Sequence, residues 1–291
     1  MKLIKYFIEF ILVLLFFLIF KIIGLKFSSY LGEKIGQILG PLFRKKSISK
    51  KNILIAFPDL KENEINEIIS EMWKNIGRIF GEYIHINQFS LNYLNKNRII
   101  FHNSEILKLL NNSKQPIIFF SGHFANFELM AKCLNELNFS IGAVFRPLNN
   151  IFLDPIMRII RKKYICPIQF EKGSKGTRKI IKHISANQPL ALMVDQRLSS
   201  SIRIPFFNKE ATTTTMPAQL ALKYDAILVP VWLKRIYKTK FEFFIEKPMQ
   251  IIKTNNYDND VFNITLNINK KIEEFIKRQP AHWLWSHDRW K

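Results

Sequence analysis

Cysteine is nearly missing: Cys133 and Cys166 are the only two in 291 residues, and neither belongs to a Cys-x-x-Cys pair. A disulfide-stapled secreted scaffold and a Cys₄ zinc site are thereby excluded. Acidic residues are also few, with Asp+Glu 23 against Lys+Arg 44 and a formal net charge of +21. That imbalance suits work beside anionic material such as membrane headgroups, phosphorylated lipid or an acidic carrier. Glycine numbers only 10, and no P-loop, G-x-G-x-x-G or G-x-S-x-G stretch occurs, which removes the usual nucleotide cradles and the serine-hydrolase elbow. The six histidines never take His-x-x-x-His spacing, so no metal site is expected. Lys172-Gly-Ser-Lys-Gly-Thr177 lacks the P-loop pattern and reads as a basic turn opening a helix. What the chain has in quantity is apolar: hydrophobic residues make up 48%, and Phe alone contributes 26. A disordered chain has no such content.

Residues 10–20 (FILVLLFFLIF) are uninterruptedly apolar. Extended over 6–25, the run is broken only by Glu9, Lys21 and Gly24. At ~1.5 Å per residue it reaches about 30 Å, the thickness of a bilayer core. No small-residue cleavage pattern follows in LKFSSYLG, so residues 1–25 read as a membrane anchor rather than a signal peptide. Lys26, Lys34 and the cluster at 44–51 (RKKSISKK) then place residues 26–291 in the cytoplasm by the positive-inside rule. The same cluster is either a solvated loop or a contact with anionic lipid.

Beyond residue 60 the pattern alternates. Residues 61–86 have helical apolar spacing; 116–120, 141–145, 165–170, 190–194, 227–233 and 241–245 read as strands. Helical segments at 126–137, 152–164, 175–184, 216–224 and 260–278 lie among them. Alternation of this kind predicts an α/β fold, with a mostly parallel central sheet flanked by helices. Ligands of such sheets bind beyond the carboxyl ends of the strands, which directs attention to Ser121-Gly-His-Phe-Ala-Asn-Phe-Glu128. His123 is the proton acceptor suited to neutral pH, and a carboxylate such as Glu128 would fix its tautomer. Five residues apart on one helix they would point about 140° from each other. They converge only if His123 lies in the loop or the first turn. On spacing alone, a satisfied core or capping histidine remains open.

The His123-x₄-Glu128 motif after an apolar strand resembles the first motif of the glycerolipid acyltransferases. Val144-Phe-Arg-Pro-Leu-Asn-Asn150, Arg161 in the next helix, Ala191-Leu-Met-Val-Asp-Gln196, Ile204-Pro-Phe-Phe207 and the tail Ala281-His-Trp-Leu-Trp-Ser-His-Asp-Arg-Trp-Lys291 follow in order. Together they resemble the lipid A biosynthesis lauroyl/myristoyl acyltransferase family over nearly the whole chain. The resemblance implies a glycerolipid-acyltransferase-like fold and O-acyl transfer from acyl carrier protein to a hydroxyl of a 3-hydroxyacyl chain on a lipid A precursor, with acyl-ACP as donor and no other cofactor. It implies catalytic roles for His123 and Glu128 and substrate-binding roles for Arg161, Asp195 and Arg146. It also implies a bacterial inner-membrane location, beside anionic lipids, with the catalytic domain facing the cytoplasm. Arg158, four residues after Asp154, reads as a helix ion pair, and the closing tryptophans as anchors of the last helix. The rival expectations are a same-fold transferase for another membrane glycolipid or phospholipid and a non-catalytic basic membrane protein. No nucleic-acid module is recognisable.

Overall fold

The computed structural model describes residues 2–91, 98–198 and 201–291. Helix α1 (Lys2–Phe43) carries the apolar run and continues well past it. It breaks at Gly24, whose φ of 75° lies in the left-handed region open to glycine. Helices α2 (Lys46–Ala56) and α3 (Glu62–Tyr83) follow. Strand β1 (Ile99–His102) and helix α4 (Glu105–Asn111) lead into β2 (Ile117–Ser121). The alternating part then runs α5 (Glu128–Glu136), β3 (Gly142–Phe145), α6 (Leu153–Tyr164), β4 (Ile168–Glu171), α7 (Ser174–Ser185) and β5 (Leu190–Met193). A hairpin, β6 (Ile202–Phe206) and β7 (Lys209–Thr213), precedes α8 (Met216–Tyr224), β8 (Ile227–Tyr237), β9 (Lys240–Ile245) and α9 (Tyr257–Arg278).

Seven strands form one sheet in the order β1-β9-β8-β2-β5-β3-β4. The expected α/β class and mostly parallel sheet are therefore present. β2, β3, β4, β5 and β8 run parallel, while β9 turns back antiparallel on β8 and β1 pairs parallel to β9. All five residues of β2 are buried, as a strand covered on both faces requires. Ile118 and Phe120 point into a core shared with α7, α8, α9 and the carboxy-terminal tail. Ile117 and Phe119 point into a second core with α4, α5, α6 and part of α1.

The second half of α1 lies against α3 at backbone distance. A Cβ on Gly36 would sit 2.3 Å from the Trp73 carbonyl oxygen and 2.7 Å from Gly77 Cα, and Gly32 meets Gly77 as closely. Small residues at four-residue spacing on both helices make that approach possible. α1 is thus more than a tether ending near residue 25: its continuation is a structural part of the domain.

Candidate active site

The pairing register of two central strands builds the site. Ser121 of β2 stands opposite Met193 of β5, and the Val194 N–H donates to the Ser121 carbonyl at 2.9 Å. His123 and Asp195, each two residues further along, therefore leave the sheet side by side at its carboxyl edge. Asp195 Oδ1 lies 2.8 Å from His123 Nδ1, and Oδ2 accepts the His123 backbone N–H at 2.8 Å. Gly122 permits this approach, because a Cβ there would stand 3.1 Å from Asp195 Cβ and Cγ.

Asp195 is buried and takes a third bond, from Trp283 Nε1 at 2.8 Å. Burial alone would raise its pKa; the His123 ring and the three donors overcome that and hold it at about 2. The carboxylate is only an acceptor, so Nδ1 carries the imidazole proton and Nε2 presents its lone pair. Burial pushes the imidazole down, yet Asp195 first and Glu128 after it leave it raised above 6.5. The Gln196 amide nitrogen is 3.4 Å from Nε2.

Glu128 occupies a different place from the one its spacing suggested. It is the first residue of α5, where the helix dipole favours a carboxylate. Its Oε1 accepts from Arg161 Nε of α6 at 3.0 Å and from a second nitrogen of the same guanidinium. The ring-orienting hydrogen bond expected from Glu128 comes instead from Asp195. Glu128 acts on His123 through space, and Tyr83 stands beside the Glu128–Arg161 pair with its hydroxyl held above its ordinary value by burial and then by that carboxylate. Arg146 follows β3 on the same sheet edge; it is exposed and, among the described residues, donates only to Asn149, at 3.3 Å. Arg158 makes its expected pair with Asp154, at 2.5 Å. Among the described residues no cluster of His, Cys, Asp and Glu has the arrangement of a metal site.

The tail escaped the sequence reading as part of the site. Trp283 bridges Phe124, and the Ala125 N–H donates to the His282 carbonyl at 3.0 Å. Fully buried Arg289 donates to Thr212 O and Thr213 Oγ1 behind Asp195, and burial lowers its pKa to about 10. Three tryptophans crowded near the end of a chain were the available signal; their contact with the loop was not.

The 121–128 loop is also fixed from below. Glu82 of α3 is fully buried and pairs with Arg235 of β8, at 2.6 Å and 3.0 Å. The same carboxylate accepts from Ser29 of α1 at 2.8 Å and from Asn126 of the loop at 2.9 Å. Asn75 donates to the Ala125 carbonyl at 3.1 Å, and Ala125 has a φ of 44°.

Fold and site together define an α/β protein with a long apolar amino-terminal helix and a histidine–carboxylate pair at the carboxyl edge of its central strands. The family model for bacterial lipid A biosynthesis acyltransferases matches residues 1–291, and the chain belongs to that family. It is 24% identical over 271 residues to the lipid A biosynthesis palmitoleoyltransferase of Escherichia coli K12, covering 90% of this chain and 84% of that one. To the lipid A biosynthesis lauroyltransferase of the same organism it is 24% identical over 256 residues, covering 85% and 79%. A lipid A biosynthesis acyltransferase of Haemophilus influenzae is 25% identical over 252 residues, covering 85% and 78%.

Proposed function

We propose that this acyltransferase moves a fatty acyl chain from the thioester of acyl carrier protein to the hydroxyl of a 3-hydroxyacyl chain on a lipid A precursor, at the cytoplasmic face of the bacterial inner membrane. The observation that carries the reading is the His123 imidazole, tied through Nδ1 to buried Asp195 with Nε2 left as a base. In this reading His123 Nε2 takes the acceptor's proton as the hydroxyl oxygen attacks the thioester carbonyl carbon. The tetrahedral intermediate collapses with cleavage of the C–S bond, and the imidazolium returns its proton to the departing thiolate. Asp195 holds the tautomer and stabilises the imidazolium, as a carboxylate does in a catalytic triad. Glu128 adds negative potential, and Arg161 holds Glu128 in place. Gln196, displaced from Nε2 by the entering hydroxyl, donates its amide N–H to the oxyanion. Exposed Arg146 meets a phosphate of donor or acceptor, and the excess of basic residues suits an acidic carrier and anionic inner-membrane lipids. The donor's thioester supplies the activation, so no further cofactor takes part.

The test is a mass-spectrometric transfer assay on detergent-purified protein. It uses acyl carrier protein loaded with C12 or C14 chains and a tetra-acylated lipid A precursor. A mass gain of one acyl chain is expected, abolished by His123→Ala. No gain with this acceptor, but gain on a membrane phospholipid or another glycolipid, would reassign the acceptor. No transfer to any of them would overturn the reading.

A further inference from the structure

Between Glu171 and Asp195 the chain has no acidic residue. In that stretch Lys175, Arg178, Lys179 and Lys182 recur at spacings of three and four, which places them on one face of α7. All four are exposed, while Gly176, Ile180 and Ile184 on the opposite face are buried. Among the described residues, none of the four cations makes an ion pair or a side-chain hydrogen bond. By contrast, Lys271 and Arg278 of α9 both reach Glu246, at 3.4 Å and 2.7 Å, and Arg158 of α6 holds Asp154 and Glu171. A helix face of one sign without counter-charges adds nothing to the fold and attracts an acidic partner.

Beside that face lies an apolar groove of about 230 Å³ between α7, α8 and the start of α9. Ile181, Met216, Leu220, Tyr224 and Tyr257 line it, and Lys223 of α8 lines it as well. An apolar trough bordered by cations fits an acidic amphipathic helix, whose apolar side chains enter the trough while its carboxylates meet the rim.

The face is also placed to serve the site. β4 ends at Glu171, on the sheet edge from which His123 and Asp195 project, and α7 begins three residues later. β4 is three strands from β2, about 14 Å at the usual strand spacing, which the phosphopantetheine arm of a carrier protein spans. Arg146 follows the intervening β3. Ile180 and Ile184 pack in the core of α8 and α9. The length and composition of α1 allow it to cross a membrane, and its Phe17 and Phe20 pack in the core of α5 and α6, on the other side of the sheet. A soluble partner thus reaches α7 from the side away from that apolar helix.

We propose that this face of α7 and the groove beside it are the docking surface for an acidic carrier protein. An acidic helix of the carrier lies along Lys175, Arg178 and Lys182, and an apolar side chain of that helix fills the groove. The inference rests on the proposed use of acyl carrier protein as donor and says where that donor is held.

The test measures transfer by the full chain in detergent from two donors bearing the same acyl chain, the loaded carrier protein and a carrier-free pantetheine thioester. Arg178→Glu with Lys182→Glu should raise KM for the loaded carrier about tenfold or more, because like charges then face each other. Its kcat, and turnover of the pantetheine thioester, should not change. Lys108→Glu with Lys114→Glu makes the same change in net charge at exposed positions before β2 and should leave that KM within about twofold. Ile181→Lys should raise it as well, although it adds a cation, because it blocks the groove. A fall in KM for Ile181→Lys would mean diffuse attraction alone and would overturn the docking. So would equal rises in both charge-reversed pairs, or an unchanged KM in Arg178→Glu with Lys182→Glu. If that pair lost only its binding to vesicles of phosphatidylglycerol and cardiolipin, the face would belong to the membrane and the proposal would fall. Loss with both donors would signal unfolding, and Arg178→Gln with Lys182→Gln then carries the same test, with an expected rise of about threefold. An unaltered protein that used the pantetheine thioester or acyl-coenzyme A but never the loaded carrier would overturn the donor reading itself, and the docking with it.

Discussion

Two buried carboxylates in this molecule each collect several donors, yet they are built for opposite ends. Asp195 accepts from the His123 backbone and ring and from Trp283. Its partner ring has its pKa raised above the ordinary value by that carboxylate, against the effect of burial, and keeps one nitrogen toward a half-open edge of the sheet. Glu82 accepts from Ser29, Asn126 and the two-pronged Arg235 guanidinium, and both partners are buried. In the proposed reaction the carboxylate beside a partly exposed imidazole helps to move a proton; the one sealed against a guanidinium joins α1, α3, β8 and the 121–128 loop into one piece. Perturbing each should therefore give a different signature.

The largest effect on catalysis is expected at the open pair. His123→Ala should lower kcat for transfer by ~10²- to 10⁴-fold, the usual contribution of a positioned base, while urea unfolding changes little. In the unaltered enzyme kcat/KM should fall as pH drops through the raised His123 pKa, above 6.5, because only the neutral ring accepts the hydroxyl proton. Asp195→Asn should move that limb to lower pH, since it removes the carboxylate that raises the ring.

The sealed pair should respond in stability instead. Glu82→Ala leaves Arg235 buried without its counter-charge, a change that costs about 3–5 kcal/mol and is readable as a lower urea midpoint. Replacing both partners, Glu82→Leu with Arg235→Met, should recover most of that loss, because an apolar pair avoids the desolvation of two ions. The transfer rate should stay depressed even so, since Asn126 has lost its acceptor and the loop one of its fixings. A double variant with full stability and full activity would show that the network supports the fold alone.

At the open pair a third change separates base from oxyanion donor. Gln196→Ala should reduce kcat by ~10²- to 10³-fold, the range for loss of one oxyanion donor, with KM and the acid limb unmoved. A shifted limb with little loss on the plateau would mean that Gln196 acts on His123 rather than on the substrate.

The sequence showed some of this and concealed the rest for physical reasons. Alternating helical and apolar segments foretold the α/β sheet, because buried parallel strands leave an unbroken run such as residues 116–120. The reversal of β9 on β8 was hidden, since both flanking strands read alike in either direction. His123 was legible as a loop histidine after an apolar strand. Its true hydrogen-bond partner was not, because Asp195 lies 72 positions further on and reaches it only through the register that sets Ser121 opposite Met193. Spacing favoured Glu128, five residues away, but α5 begins at Glu128 itself and turns that side chain toward Arg161. The glycines of α1 and α3 resembled scattered small residues until the helices were placed side by side.

The smallest expected effect concerns the indole that completes the Asp195 shell. Trp283→Phe keeps the buried ring and deletes one donor to an ionised acceptor, a loss of about 1.5–3 kcal/mol. Its sign with pH follows from the direction of the shift. Asp195 is depressed from 3.8 to about 2, so its stabilising contribution is present above about 4 and is lost as pH falls toward 2. Removing Trp283 Nε1 makes that depression smaller. The variant should therefore fall furthest below the unaltered protein above pH 4, and the two urea midpoints should approach each other as Asp195 is protonated. Midpoints differing by the same amount at pH 3 and pH 6 would trace the loss to ring packing instead of the hydrogen bond, and would leave Asp195 dependent on His123 for its low pKa.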